Sequence, residues 1–356
     1  MSERAVVAMS GGVDSSVAAA LMVEDGYEAI GVTLSLAGST SRCCSLSDAD
    51  DARRVAERLG LRFYVANYAD RFESEVKRPF ADAYLSGRTP IPCVTCNTRF
   101  KFEYLIDRAR VFGAKRVASG HYARVDDDPE TGLKRLRTAV DPAKDQTYFL
   151  FELSQEQLEM VAFPLGGMTK RAVREHARRL GLATAEKAES QEICFVPDGD
   201  YAAAVERIRP DDLPGVGEIV DAEGRVLGRH AGIHHFTVGQ RRGLGVSARN
   251  PLYVSRIDAD KNRVEVGEVG DLAARGARLE RVSWVAGPTA GGGSVRARVK
   301  IRYRDAGAPA EIEPLAGDAA RVIFDAPVRA VTPGQAAVFY ANDCVLGGGW
   351  ISASFS

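Results

Sequence analysis

A short apolar run, Ala5 to Met9, ends in Ser10-Gly11-Gly12-Val13-Asp14-Ser15-Ser16 and opens at once into the helix-period stretch Val17 to Glu24. Few arrangements satisfy that order. The apolar run reads as a buried strand. Two glycines let the backbone curl, and the hydroxyls and N–H groups at the start of a helix then face an anion. The segment predicts a phosphate-binding turn at the carboxyl end of a strand. A plain Gly-Ser turn with a Ser or Asp cap would explain the glycines, but not strand, loop and helix together. The Gly-Lys-Ser/Thr of a Walker loop is missing, which argues against a motor or GTPase. Gly243-Leu244-Gly245-Val246-Ser247-Ala248 matches a dinucleotide fingerprint only loosely. No buried strand precedes it, so it reads as a turn.

The strand–helix rhythm continues. Ala29 to Leu34, Leu61 to Ala66 and Lys115 to Ser119 read as strands, and Arg99 to Phe112 as a helix. Asp48 to Leu59 reads as a helix with Ala52, Val55, Ala56 and Leu59 on one face, capped by Ser47 and stopped by Gly60. This pattern predicts a parallel sheet covered on both faces, with ligands beyond the carboxyl ends of its strands. After about residue 200, Pro210, Pro214, Gly215 and Gly217 break the chain. Short alternating runs follow, such as Arg263 to Val266 and Ala336 to Tyr340, and predict small antiparallel β domains. Pro288 to Gly293 reads as a linker. At 356 residues the chain has room for two or three domains.

No apolar stretch reaches the roughly 20 residues of a membrane span, and Met1 to Arg4 lack a leader layout. A cytosolic protein is expected. The net charge of −1 (47 Lys+Arg against 48 Asp+Glu) taken whole argues against a nucleic-acid binder. Its distribution argues otherwise. Arg296, Arg298, Lys300, Arg302 and Arg304 alternate with smaller or apolar residues. As one strand they would share a face at about 6.6 Å spacing, an arrangement that favours phosphates as counter-ions. Lys170, Arg171, Arg174, Arg178 and Arg179 form a second basic cluster, which reads equally well as a charged helix surface.

Six cysteines are too few for a disulfide scaffold. Cys93-Val94-Thr95-Cys96 follows Pro90 and Pro92, so a stiff loop is expected, with Asn97 leading into a helix. The helix dipole, Arg99 and Lys101 would stabilise a thiolate there. A lone C-x-x-C fits half a zinc ribbon, a redox pair or a loop staple; with no second C-x-x-C, a four-cysteine ribbon is disfavoured. Cys194, between Ile193 and Phe195, reads most simply as a buried apolar residue, as does Cys344. Cys43 and Cys44 receive no role. His234-His235, read as strand neighbours, would point to opposite faces, so no shared metal is expected.

Together these segments resemble the tRNA-specific 2-thiouridylases of bacteria and organelles, within the PP-loop superfamily of N-type ATP pyrophosphatases. The likeness is carried by Ser10 to Ser16, Gly87 to Asn97, Ser119-Gly120-His121-Tyr122, Lys144 to Leu150, Ser190 to Phe195 and His234 to Gly245, nearly the whole length. It implies an α/β fold class. A doubly wound, Rossmann-like PP-loop domain (1–203) would be followed by a small mainly-β linker domain (204–272) and a C-terminal antiparallel β-barrel (273–356).

The resemblance also implies chemistry. ATP, with Mg2+, would adenylate the wobble uridine of lysine, glutamate and glutamine tRNAs, releasing pyrophosphate. A persulfide on Cys194 would then attack C2 and displace AMP, and Cys96 would release the sulfur, leaving a Cys96–Cys194 disulfide. ATP contacts fall on Ala8, Met9, Ser10, Gly11, Gly12, Val13, Asp14, Ser15, Leu34 and Gly120. Contacts to tRNA fall on His121, Lys144, Asp145, Gln146, Arg302, Tyr303 and Gln335, and the target base meets Ile91, Pro92 and Cys93. The implied partners are tRNA and a persulfide donor (a cysteine desulfurase or sulfur-relay protein), and the implied state is a monomer.

One departure matters. Many members of the family carry Asp where this chain has Cys93, and a thiol there would titrate near 8.5 in place of about 4. Cys93, Cys96 and Cys194 could also hold an iron–sulfur cluster with one open iron, an alternative route to the same thiolation. Two other readings, an ammonia-using PP-loop ligase and a non-catalytic RNA-binding protein with a cysteine-held metal, leave the paired cysteines or the phosphate turn unexplained.

Overall fold

The computed structural model describes residues 2–36, 46–189, 193–196, 198–285 and 293–356. Cys43, Cys44, Ser190 to Glu192 and residues 288–292 of the expected linker lie outside the described residues. The chain divides into two compact units. The first comprises residues 1–76, 93–199 and 342–346, the second 77–92, 200–341 and 347–356.

The first unit opens with β1 (Arg4–Ala8), α1 (Val13–Glu24), β2 (Glu28–Ser35), α2 (Leu46–Leu59) and β3 (Arg62–Asn67). Ala5, Val6 and Val7 are wholly buried, as a strand covered on both faces must be. The expected face of α2 is buried at Ala52, Val55 and Ala56. The helix starts at Leu46, so Ser47 lies inside its first turn and is not its cap. Next come α3 (Ala69–Phe72) and, in the second unit, α4 (Arg78–Leu85).

The C-x-x-C segment departs from expectation. It is not a loop: α5 (Pro92–Thr95) runs on as a π-helix over Cys96–Phe102 and then as α6 (Glu103–Val111). Proline is well tolerated in a first helical turn, because its missing N–H would have no intrahelical partner there. β4 (Arg116–Ala118), the hairpin β5 (Ala123–Asp127) and β6 (Lys134–Thr138), α7 (Gln155–Met160), β7 (Val161–Ala162) and α8 (Lys170–Arg179) complete the unit's main elements.

The first unit's sheet has the order β3-β2-β1-β4-β7, and its strand pairs are parallel. From β1 the chain moves to β2 on one side, and β4 lies on the other. The carboxyl ends of β1 and β4 are therefore the switch point where such sheets take ligands. Val13, Val17 and Ala18 of α1, Val173 and Ala177 of α8, and Val7 of β1 belong to one buried core that holds this end in place.

The second unit contains α9 (Tyr201–Ile208), then β8 (Gly217–Val220), β9 (Val226–His230), β10 (Tyr253–Asp258) and β11 (Arg263–Gly267) in a sheet of order β10-β11-β8-β9. β12 (Ala273–Trp284), β13 (Val295–Lys300), β14 (Ala308–Leu315), β15 (Ala319–Arg329), β16 (Ala336–Ala341) and β17 (Cys344–Phe355) follow in the order β12-β15-β14-β13-β16-β17. Pairing of β12 with β17 closes them into a barrel. In the first unit, Cys344 and Val345 pair with Arg137 and Leu136 of β6.

The structure differs from the sequence pattern at two further places. The basic run is not one strand: β13 stops at Lys300, and the chain bends through Ile301 to Arg304. His234 and His235 lie on a single 3-10 turn, Ile233–His235, and not on a strand. No described helix is long and apolar enough to cross a membrane.

Candidate active site

Gly11, Gly12 and Ser10 form the turn between β1 and α1. Gly11 has φ +70°, and a Cβ there would lie 2.2 Å from the Asp48 carbonyl oxygen, so glycine is required twice over. Ser15 Oγ donates to Gly12 O at 3.1 Å and accepts from Ser10 N at 3.1 Å, which ties the turn into a ring. Ser16 Oγ donates to Gly12 O at 2.8 Å. Gly12, the N-cap, supplies no side-chain acceptor to the first N–H groups of α1, which leaves them facing the turn. Met9 is held in register by Thr33 Oγ1, 2.6 Å from its carbonyl. Leu34 is buried near the end of β2.

From the other side of the switch point, Gly120 reaches the start of α1. A Cβ on it would stand 2.7 Å from Ser15 N, so the loop after β4 and the phosphate turn touch backbone to backbone. Tyr122 OH donates to Asp14 Oδ1 at 2.8 Å. Tyr122 is itself fixed by Gln146, whose Oε1 accepts from Tyr122 N at 2.9 Å and whose N donates to Tyr122 O at 2.9 Å. Asp145 is buried, accepting from Ala139 N at 3.0 Å and Thr147 Oγ1 at 2.8 Å. It shapes this loop from inside.

A lysine–carboxylate network surrounds the turn. Lys170 Nζ lies 2.8 Å from both oxygens of Asp14 and 2.7 Å from Glu189 Oε1. Lys144 Nζ meets Glu189 Oε2 at 2.5 Å. Lys187 Nζ donates to Gly11 O at 3.0 Å, Asp48 Oδ1 at 2.7 Å and Asp51 Oδ2 at 2.6 Å. Burial pushes the Lys187 pKa down, but the bonds to Asp48 and Asp51 outweigh it and leave the ammonium above its ordinary value. At Glu189 burial pushes up, while Lys144 and Lys170 prevail and hold the carboxyl low. Tyr122, Lys187 and Glu189 do not stand out as site residues in the sequence, and Lys170 sits there in a basic helical cluster. The only signal for Lys187 and Glu189 was their place just before Ser190.

His121 packs between Phe102 and Phe163, with ring centroids at 5.6 and 6.0 Å, and its Nδ1 is 2.8 Å from Ser119 Oγ. Burial, helped by the charge of Lys101, pushes its pKa down to about 3, so the imidazole is neutral near pH 7.

Cys93 and Cys96 are three residues apart on one helix, hence on one face; Cys93 is half-buried and Cys96 buried. Cys194 is half-buried, not a core residue, beside the buried Phe195. Phe72 joins the two segments: its ring is 5.8 Å from Phe195 and 5.6 Å from Phe100, in the helical run of Cys96. The phosphate turn, Cys96 and Cys194 thus belong to the same unit. Cys344 is also half-buried, its thiol pushed up by burial.

The remaining expected contacts lie in the second unit. Arg302 NH2 donates to Arg329 O at 3.0 Å and Ala330 O at 2.6 Å. Tyr303 is half-buried in the bend after β13. Gln335 Nε2 donates to Thr89 O at 2.9 Å, and Thr89 N to Pro333 O at 2.9 Å, so Gln335 and the segment leading to Ile91 and Pro92 come together. Arg296 pairs with Asp325 at 2.6 Å, an acid from a strand distant in sequence.

A doubly wound sheet with Ser-Gly-Gly-x-Asp-Ser-Ser at its switch point defines a PP-loop nucleotide-binding class. Residues 3–198 match the family described as tRNA methyl transferase HUP domain. Residues 206–268 match a tRNA methyl transferase PRC-barrel domain and 274–351 an aminomethyltransferase beta-barrel domain. The chain is 52 % identical to the tRNA-specific 2-thiouridylase MnmA of Acidobacterium capsulatum, over 97 % of this chain and 98 % of that one. It is 50 % identical to the protein of that name from Geobacter metallireducens, over 99 % and 98 %. The chain belongs to the tRNA-specific 2-thiouridylase family.

Proposed function

We propose that this chain catalyses ATP-dependent 2-thiolation of the wobble uridine of lysine, glutamate and glutamine tRNAs. Full-length similarity to 2-thiouridylases carries the reading, and the turn at Ser10 to Ser16 supports it. Methyl transfer, which the name of the matching family suggests, has no need of a cradle for the phosphates of ATP. Uridine O2 is a poor leaving group as it stands; bonding it to the α-phosphate of ATP expels pyrophosphate and makes it a good one. N–H groups of α1 and the Ser10 and Ser15 hydroxyls would hold the transferring phosphate. Asp14 Oδ2 accepts from Lys170, and the carboxylate keeps a lone pair that fits Mg2+ carried by the phosphates, which would neutralise the leaving pyrophosphate.

The outer sulfur of a Cys194 persulfide then attacks C2 and AMP leaves. The Cys96 thiolate attacks the Cys194 sulfur, which breaks the S–S bond, leaves sulfur on C2 and joins Cys96 to Cys194; a reductant resets the pair. Cys93, on the helical face of Cys96, would meet the target base together with Ile91 and Pro92. The iron–sulfur alternative is not favoured by the full-length similarity to 2-thiouridylases. His121, Lys144, Gln146, Arg302, Tyr303 and Gln335 would contact tRNA, with Asp145 shaping the loop between them. A cysteine desulfurase or sulfur-relay protein would load Cys194, in the cytoplasm and on a monomer. The domains would be 1–203, 204–272 and 273–356.

Cys194→Ser tests this reading. It should abolish 2-thiouridine in digested tRNA while tRNA-dependent AMP release persists. Retained 2-thiouridine by mass spectrometry would overturn the persulfide assignment.

A further inference from the structure

One cluster of ligating side chains lies apart from the chemistry above. Glu206 projects from the last turn of α9, and His234 and His235 from the turn Ile233–His235, all within the second unit. Neighbouring residues on a strand diverge. On this turn the two imidazoles lie 4.3 Å apart and tilted by 36°, and both present Nε2 to one oxygen. His234 Nε2 is 3.3 Å and His235 Nε2 3.5 Å from Glu206 Oε1. The ligand atoms of the three residues all fall within 4.8 Å of one another.

Those separations are long for charge-assisted hydrogen bonds, which run at about 2.7–2.9 Å. They suit a shared ion. Ligands about 2.05 Å from a tetrahedral centre stand roughly 3.3 Å apart, whereas an octahedral centre with the same bonds brings them to roughly 2.9 Å. His234 is 3 % exposed, and its Nδ1 is buried with no hydrogen-bond partner among the described residues. Nε2 is thus the one ring atom through which this imidazole can offset its burial.

We propose that Glu206, His234 and His235 bind one zinc-like divalent transition cation, tetrahedrally, with the fourth position open to water. Such an ion would fasten α9 to the turn before Phe236. α4 packs on this pair: Tyr84 stacks on Tyr201 at 6.3 Å, its hydroxyl bonds Thr237, and Asp82 takes Arg209 at 2.7 Å. The cation would stiffen the support from which the Gly87–Pro92 segment departs.

The test uses tag-free full-length protein stripped by a chelator and titrated with Co2+. One equivalent should give the intense visible bands of tetrahedral Co2+ without the near-ultraviolet band of a thiolate complex. His235→Ala and Glu206→Gln should weaken that binding at least about 100-fold, since losing a direct ligand exceeds the roughly 10–100-fold cost of an outer partner. Cys96→Ser should leave it unchanged. Zn2+ should raise the unfolding temperature of the parent and not of His235→Ala. Because His235 is exposed, His235→Gln supplies a second folded variant if alanine is tolerated poorly. Equal Co2+ affinity in parent and histidine variants, or a spectrum that Cys96→Ser removes, would overturn the proposal.

Discussion

Two sets of cations, the lysines around the phosphate turn and two arginines of the barrel, are held in different ways. Around the phosphate turn each lysine is matched to acids: Lys170 to Asp14 and Glu189, Lys187 to Asp48 and Asp51, with side chains only 13 % and 31 % exposed. Their charge is spent on position. On the barrel, Arg298 donates to Gly307 O at 2.9 Å and Arg302 to the carbonyls of Arg329 and Ala330. A carbonyl is a neutral acceptor. It fixes a guanidinium and leaves its charge in place, which is what a phosphate-facing arginine needs. A cationic side chain is thus scaffold in one place and field source in the other, and the acceptor decides which.

The largest expected effect lies in the turn itself. Gly11→Ala forces a side chain into a left-handed backbone and against the Asp48 carbonyl, and should cut tRNA-dependent AMP release by more than about 100-fold. Gly12→Ala, whose Cβ would meet only Ser10 Oγ at 3.6 Å, should cost under about tenfold. Equal losses would mean that the turn is not built around Gly11. Next comes Lys187→Met, which leaves Asp48 and Asp51 facing each other beside Gly11. It should destabilise the fold by about 2 kcal/mol in urea titration, less than a fully buried pair because Lys187 is partly exposed. Two barrel arginines should show smaller effects that differ from each other. Arg302→Ala should weaken tRNA binding and flatten its salt slope by about one unit. Arg296→Ala, whose charge Asp325 already offsets, should move the slope by less than about half a unit. Equal slopes for the two variants would break the distinction between carbonyl-held and acid-paired arginines.

The phosphate turn was legible in the sequence because strand, glycines and helix are contiguous, and local geometry decides their conformation. Partners brought from far along the chain were not. Lys170 begins a helix crowded with arginines and reads as surface, yet it reaches Asp14, 156 residues away. The basic run looked uninterrupted because Asp325 lies 29 residues beyond Arg296, and alternation does not reveal the bend at Ile301. Pro92 misled in another way. It stiffens a loop and starts a helix equally well, and only the packing of Phe100 and Phe102 behind it selects the helix. His234-His235 show the same ambiguity, since adjacent residues diverge on a strand and converge on a tight turn.

The short segment before Pro92 carries a consequence of its own. Thr89 is bonded at both its N–H and its carbonyl to the turn Pro333–Gln335, and Arg88 is bonded to Glu280 at 2.9 Å. Its ordering entropy has therefore been surrendered at folding, at about 1–2 kcal/mol per residue. A nucleotide docking there, as proposed above, would meet a surface already in shape, and its binding energy would not first have to freeze that stretch of backbone.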